Sequence, residues 1–124
     1  MSSYELKILK ILKKEGIKFE REKSFKDLRA GHFRYDFYIP NYKGKELIIE
    51  VDGEGHFKEC FGGGRLQLNK QKEHDRRKNS YCLANNILLY RIPYWEIDNI
   101  TSFSNILYQK FKVNSRFHND YLNF

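Results

Sequence analysis

Asp36, Glu50, Asp52 and His56 are the residues whose types and spacing could do chemistry together. In Arg34-Tyr35-Asp36-Phe37-Tyr38-Ile39 a strand period of two puts Asp36 on one face with Arg34 and Tyr38, and Tyr35, Phe37 and Ile39 on the other. In Ile48-Ile49-Glu50-Val51-Asp52 the same period puts Glu50 and Asp52 on the face of Ile48. A short turn joins the two stretches, so they are expected to pair as antiparallel neighbours and to gather three carboxylates at one end of a small sheet. Like charges held that close are unfavourable without a cation, and oxygen ligands suit Mg²⁺ or Mn²⁺ better than zinc. His56 follows Asp52 across a Gly-Glu-Gly turn that could fold it back to move a proton to or from a water or leaving group. Each residue taken singly reads more readily as a solvated strand-end or loop residue; the four together point to a metal centre.

Two further groups bear on that site. Glu5 precedes Ile8, Leu9 and Leu12 by three, four and seven residues, on the helix face that should be buried, where a carboxylate wants a partner or a metal. It also lies three residues after Ser2, the spacing of a capping box, and that reading competes. Farther along, Gln71, Asp75, Lys78 and Cys82 fall on one helix face, from which Lys78 could touch a scissile phosphate and Asp75 could orient a histidine or water. An ordinary solvated helix face accounts for this stripe equally well. Phe61-Gly62-Gly63-Gly64-Arg65 reads as a loop without P-loop spacing, so no nucleotide cofactor is expected. His56, Cys60, His74 and Cys82 lack zinc-finger spacing.

The elements that must position these residues follow from hydrophobic period and turn chemistry. An amphipathic helix is expected over Ser3–Glu15, with Ile8, Leu9 and Leu12 inward, Leu6 and Ile11 flanking, and Gly16 as its stop. Strands are expected at Ile17–Glu22, at Phe33–Ile39 ending before Pro40, and at Glu46–Asp52, whose Leu47-Ile48-Ile49 centre suits a strand covered on both faces. A long polar helix over Leu66–Asn85 leads to a fourth strand, Ile87–Ile92. A last helix over Ser102–Lys112 offers Phe103, Ile106, Leu107 and Phe111 as its apolar face. The order αβββαβα describes one mixed α/β domain over residues 1–124, with a core at about 4–108 and a C-terminal extension beyond.

Composition bounds the function. The 124 residues carry a net charge of +7, and 16 % are aromatic, enough for a packed core and too many for a disordered basic tail. No apolar run approaches a membrane span, and the charged N-terminal stretch is no signal peptide. Two cysteines without CxxC spacing fit reduced thiols in a cytoplasmic protein. The charge is uneven: residues 31–64 carry six acidic and four basic side chains, whereas residues 65–78 carry six basic and two acidic. A positive field attracts nucleic acid, and a local acid cluster inside it would repel phosphate unless a divalent cation neutralised it.

Four strings carry a resemblance: Tyr35-Asp36-Phe37-Tyr38, Ile49-Glu50-Val51-Asp52-Gly53-Glu54-Gly55-His56, Asp75-Arg76-Arg77-Lys78-Asn79 and Leu89-Tyr90-Arg91-Ile92-Pro93-Tyr94. Together they resemble the PD-(D/E)XK nuclease superfamily, in particular the branch around the very-short-patch repair endonuclease and the small nucleases of phages and mobile introns. The resemblance implies a restriction-endonuclease-like αβββαβ core and a Mg²⁺- or Mn²⁺-dependent endonuclease acting on DNA in a bacterial or phage-infected cell. It implies Asp36 as the metal-binding aspartate, Glu50 as the acid of the E-x-K position, and His56 as the matching histidine. Glu5 matches the first-helix glutamate and Asp75 a later acid. Asp52 stands where most of the superfamily has lysine, a charge Lys78 could replace from the helix. On this reading Glu5 and Asp52 are further metal ligands, and Arg34, Arg65, Lys72, Arg76, Arg77 and Lys78 contact nucleic acid. A double-strand cut by so small a chain is expected to need two protomers. The alternatives are a catalytically silent DNA-binding or nuclease-blocking module on the same fold, favoured by Asp52, or an RNA nuclease.

Overall fold

Ser2 opens the first helix, α1 (Ser3–Lys14), by accepting the Glu5 backbone N–H at its Oγ, 3.1 Å away. Gly16, at φ 69°, closes it: the Gly16 N–H reaches the Lys13 carbonyl and the Ile17 N–H the Leu12 carbonyl, a Schellman ending. Ile8, Ile11 and Leu12 are the residues α1 buries, so the inward stripe is rotated from the expected one: Ile11 is buried, Leu9 only partly, and Leu6 stays exposed.

The computed structural model describes residues 1–54 and 64–108. His56, Cys60, Phe111 and the tail after Val113 therefore lie outside the described residues. Within them, β1 (Glu20–Ser24), β2 (Arg34–Tyr42), β3 (Lys45–Asp52) and β4 (Leu88–Pro93) form a mixed four-stranded sheet in that spatial order. The first three strands are antiparallel neighbours, and β4 lies parallel to β3. The crossover between β3 and β4 contains α2 (Gly64–Ala84), as a parallel pair requires. A 3₁₀ stretch over Tyr94–Asn99 and a short helix, α3 (Phe103–Leu107), follow. The chain is an α/β domain in the expected element order, and no described helix is long and apolar enough to cross a membrane.

Each face of the sheet has its own core. Phe37, Ile39, Leu47, Ile49, Val51, Tyr90 and Ile92 pack beneath α1 and α3, with Ile8, Leu12, Phe103 and Ile106. Tyr35, Tyr38, Ile48 and Leu89 pack on the other face with Cys82 of α2, Ile87, Leu28 and Phe33. Because β3 is covered on both sides, its period of two assigns residues to layers. Leu47, Ile49 and Val51 face α1; Ile48, and by the same alternation Glu50 and Asp52, face α2.

Several boundaries differ from the expected ones for local reasons. The β2–β3 turn has Lys43 and Gly44 at φ 50° and 84°, the paired left-handed residues of a two-residue hairpin, and Asn41 Oδ1 accepts the Gly44 N–H at 2.8 Å. That tight turn carries β2 on past Pro40 to Tyr42. The ladder shifts register between Ile39 and Tyr42, which accommodates a residue with no N–H to donate. The first strand starts at Glu20 rather than Ile17, since Ile17 is spent on closing α1. The second long helix begins at Gly64, inside the stretch expected to be loop, and ends in a Schellman turn with Asn86 at φ 58°.

Between β1 and β2, Arg29, Ala30 and Gly31 occupy consecutive left-handed conformations, at φ 48°, 52° and 80°. For the two residues with a Cβ this costs roughly 1–2 kcal/mol each. Ala30→Gly should therefore raise unfolding free energy by up to about 1 kcal/mol in chemical denaturation, where a loss would contradict a left-handed Ala30.

Candidate metal and phosphate site

At the point where β2 and β3 begin to pair, a side chain takes the place of a ladder bond. The registered ladder starts at Phe37 opposite Ile49, and the next free donor on β3, the Val51 N–H, is accepted by Asp36 Oδ2 at 2.8 Å. The period of two fails there. Phe37 and Ile39 face α1 as expected, but Tyr35 lies on the α2 side with Tyr38, and its hydroxyl donates to the Lys78 carbonyl at 2.9 Å. The expectation that Tyr35 shares a face with Phe37 is thus corrected. The reason is the irregularity at Asp36, which turns the start of β2 toward α2.

Asp36 and Glu50 come together on this face. Glu50 is buried, and its Oε1 lies 2.6 Å from the Lys78 ammonium of α2. That approach is off the direction a hydrogen bond needs, so Oε1 has an ion-pair partner and no hydrogen-bond donor among the described residues. The Lys78 ammonium donates instead to the Arg34 carbonyl at 2.6 Å and sits over the Tyr35 ring, 4.8 Å from its centre. Burial, and then the negative charge of Glu50, push the Asp36 carboxyl up to about 9; the Val51 N–H and Lys78 offset this only in part. Asp36 is therefore protonated at neutral pH, with its carboxyl in hydrogen-bond contact with Glu50.

Asp52 belongs elsewhere, although it lies on the same face. It is fully buried, and its Oδ1 accepts from Arg91 Nη1 at 2.8 Å. The same guanidinium donates through Nε to Asn79 Oδ1 at 2.7 Å, and its Nη2 lies 3.5 Å from Asp75 Oδ1. Gln71 Nε2 donates to that Asp75 oxygen at 3.1 Å. The expected three-carboxylate centre is corrected to a pair: Asp52 neutralises Arg91 inside the fold. Among the described residues no group of three or more His, Cys, Asp and Glu side chains is arranged to hold a metal ion. Asp75 is likewise a partner of Arg91, buried rather than solvated, and Gln71 supports it.

Glu5 is corrected as well. Its Oε2 pairs with Arg21 Nη2 at 3.1 Å, while Arg21 Nε donates to the Asp36 carbonyl at 3.2 Å. Only the Ser2 half of a capping box is formed, and Glu5 reaches the site through Arg21. Of the expected nucleic-acid contacts, Arg34, Arg65, Arg76 and Arg77 are exposed and Lys72 is half-buried. Arg76 and Arg77 share Glu73, at 3.6 and 3.2 Å. His56 lies outside the described residues.

Arg91, Asn79, Arg21 and Tyr35 are the residues whose roles sequence reasoning missed. A signal existed for Arg91: a lone charge in the apolar run Ile87–Ile92 of a two-sided strand must be paired inside. No family model, no curated protein and no solved structure matches this chain.

Two outcomes test this geometry. Arg91→Met strands two buried carboxylates and should cost about 3–5 kcal/mol, whereas adding Asp52→Asn and Asp75→Asn should recover much of the loss in urea titration. Asp36 has a raised folded-state pKa, so its contribution to stability is complete below about pH 4 and is lost as pH rises through about 9. Metal-free protein should lose up to about 1.4 kcal/mol per pH unit across that window, and Asp36→Asn should flatten the profile.

Proposed function

We propose that the chain is a Mg²⁺- or Mn²⁺-dependent nuclease of the PD-(D/E)XK type, acting on DNA. The observation that carries the reading is the pair of half-buried Asp36 and buried Glu50, with the Lys78 ammonium 2.6 Å from Glu50 Oε1 and no hydrogen-bond donor to that oxygen among the described residues. A protein that only bound phosphate would gain nothing from enclosing two carboxylates in a basic chain. The pair suits a hard divalent cation because both groups offer carboxylate oxygens and stand close enough for the charge of Glu50 to raise the Asp36 carboxyl.

Asp36 and Glu50 would hold the ion, which when bound supplies Lewis acidity to a phosphate oxygen and lowers the pKa of an attacking water. Asp52 is assigned no ligand role, because releasing it would leave Arg91 without its shortest carboxylate contact. Lys78 provides the positive charge that the strand motif lacks at Asp52, and it does so from α2. Held by the Arg34 carbonyl and by Glu50, the Lys78 ammonium is positioned to offset charge developing on a phosphate. His56 retains its proposed role as acid or base, and exposed Arg34, Arg65, Arg76 and Arg77 would draw the substrate backbone in. DNA rather than RNA follows from the resemblance alone.

The test is incubation of purified protein with supercoiled, linear, branched and single-stranded DNA and with RNA, in Mg²⁺, Mn²⁺ or EDTA. Cleavage should require the metal and be abolished by Asp36→Asn and by Glu50→Gln. Lys78→Met should slow it by about 10²–10³-fold, the usual effect of removing one charge-stabilising group. No cleavage of any substrate, with DNA binding indifferent to EDTA and to both carboxylate substitutions, would overturn the reading and leave a binding module.

A further inference from the structure

We propose that a groove between the β1–β2 connection and the outer side of α2 takes one unpaired nucleotide of the nucleic acid on which the chain acts. This rests on the nuclease reading above and narrows its substrate to forms with an unpaired base. The groove has a volume of about 460 Å³ and is lined by Leu28, Arg29, Phe33, Arg76, Arg77 and Tyr81, with Glu73 and Ser80. That volume lies within the roughly 300–1,000 Å³ of sites that enclose a small organic group.

The lining combines the two chemistries a nucleotide presents. Leu28, Phe33 and Tyr81 make an apolar floor, and three guanidiniums stand around it against the single carboxylate of Glu73. Glu73 is already divided between Arg76 and Arg77, so the groove keeps a net positive charge. Among the described residues no carboxylate pairs with Arg29. Its guanidinium instead lies over the Phe33 ring, 5.4 Å from the ring centre, as an exposed planar platform. The strained conformations of Arg29 and Ala30 hold it there. Bases stack on arginine planes and on aromatic rings, and arginine binds phosphate oxygens in two-pronged fashion.

An unpaired nucleotide fits better than a duplex. In a duplex the base faces are stacked on one another, so a partly apolar groove meets only phosphates and gains nothing from Leu28 and Phe33. The groove also shares its elements with the carboxylate pair. Phe33 stands three residues before Asp36, at the start of β2, and Arg77 precedes Lys78 on α2. A strand whose base entered the groove would thus be carried by the same strand start and helix that present Asp36 and Lys78.

The test is binding in EDTA, where no metal-dependent cleavage occurs, by fluorescence anisotropy of labelled oligothymidylate, of an abasic strand of equal length and charge, and of a duplex. The base-bearing strand should bind about tenfold more tightly than the abasic one. Arg29→Gln, at an exposed position, should remove that preference without lowering the melting temperature. Arg76→Gln with Arg77→Gln should reduce the salt slope by about 0.7 for each phosphate that is no longer neutralised. Equal binding of the base-bearing and abasic strands, or an equal loss on strand and duplex in Arg29→Gln, would overturn the proposal. The two readings separate cleanly. Metal-dependent cleavage without a base preference removes the groove and keeps the nuclease; a base preference lost in Arg29→Gln, with no cleavage in any metal, keeps the groove and removes the nuclease.

Discussion

The buried guanidinium of Arg91 is the interaction on which the rest of the α2 face depends. It is fully enclosed, and a charge in that position is tolerable only if it is paired and its donors are used. Asp52 comes from β3, Asp75 and Asn79 from α2, and Arg91 itself from β4, so one side chain ties the crossover helix to both parallel strands it connects. A hydrophobic seam would let α2 slide or rotate by small amounts. Directional contacts to three partners fix its height and azimuth over the sheet, and Lys78, one residue before Asn79, inherits that position above Glu50.

The opposite end of the site is set by a failure of regular pairing. Asp36 keeps the face it shares with Tyr38, beside Glu50, and accepts the Val51 N–H there, while Tyr35 next to it leaves the face of Phe37. Arg21, hooked to the Asp36 carbonyl and to Glu5, holds this irregularity from the neighbouring strand and from α1. Three elements therefore converge on one backbone kink. The arrangement carries an electrostatic cost, since Asp36 stands beside buried Glu50 with one ammonium between the helix and the strands, and burial together with the Glu50 charge raises the Asp36 carboxyl.

Much of this was legible in the sequence because it rests on local rules. The capping serine, the glycine stop after α1, the apolar centre of β3 and the tight turn at Lys43-Gly44 each announce themselves within a few residues. The proximity of Asp36 and Glu50 was also legible, since antiparallel pairing across a short turn leaves little freedom. The separation of Asp52 from them was not. Glu50 and Asp52 share a face and a strand, and only the position of Arg91, brought in by a crossover of more than thirty residues, decides that one is spent on the fold and the other is left at the site. Glu5 was missed for the same reason: its partner Arg21 lies on another element, and no spacing rule connects them.

The composition of β1 has a consequence for association between copies of the chain. As one of the two outer strands it leaves a row of backbone donors and acceptors without a strand partner among the described residues, and such a row is a template for sheet growth. Glu20-Arg21-Glu22-Lys23 places a charge at four consecutive positions, and Glu22, at φ 55°, breaks the extended backbone midway. Two such strands brought edge to edge would meet charge at each of these positions and would lose register at the kink. The β1 edge of the sheet thereby resists extension, so strand-to-strand association of copies is disfavoured on the side that lies two strands away from Glu50.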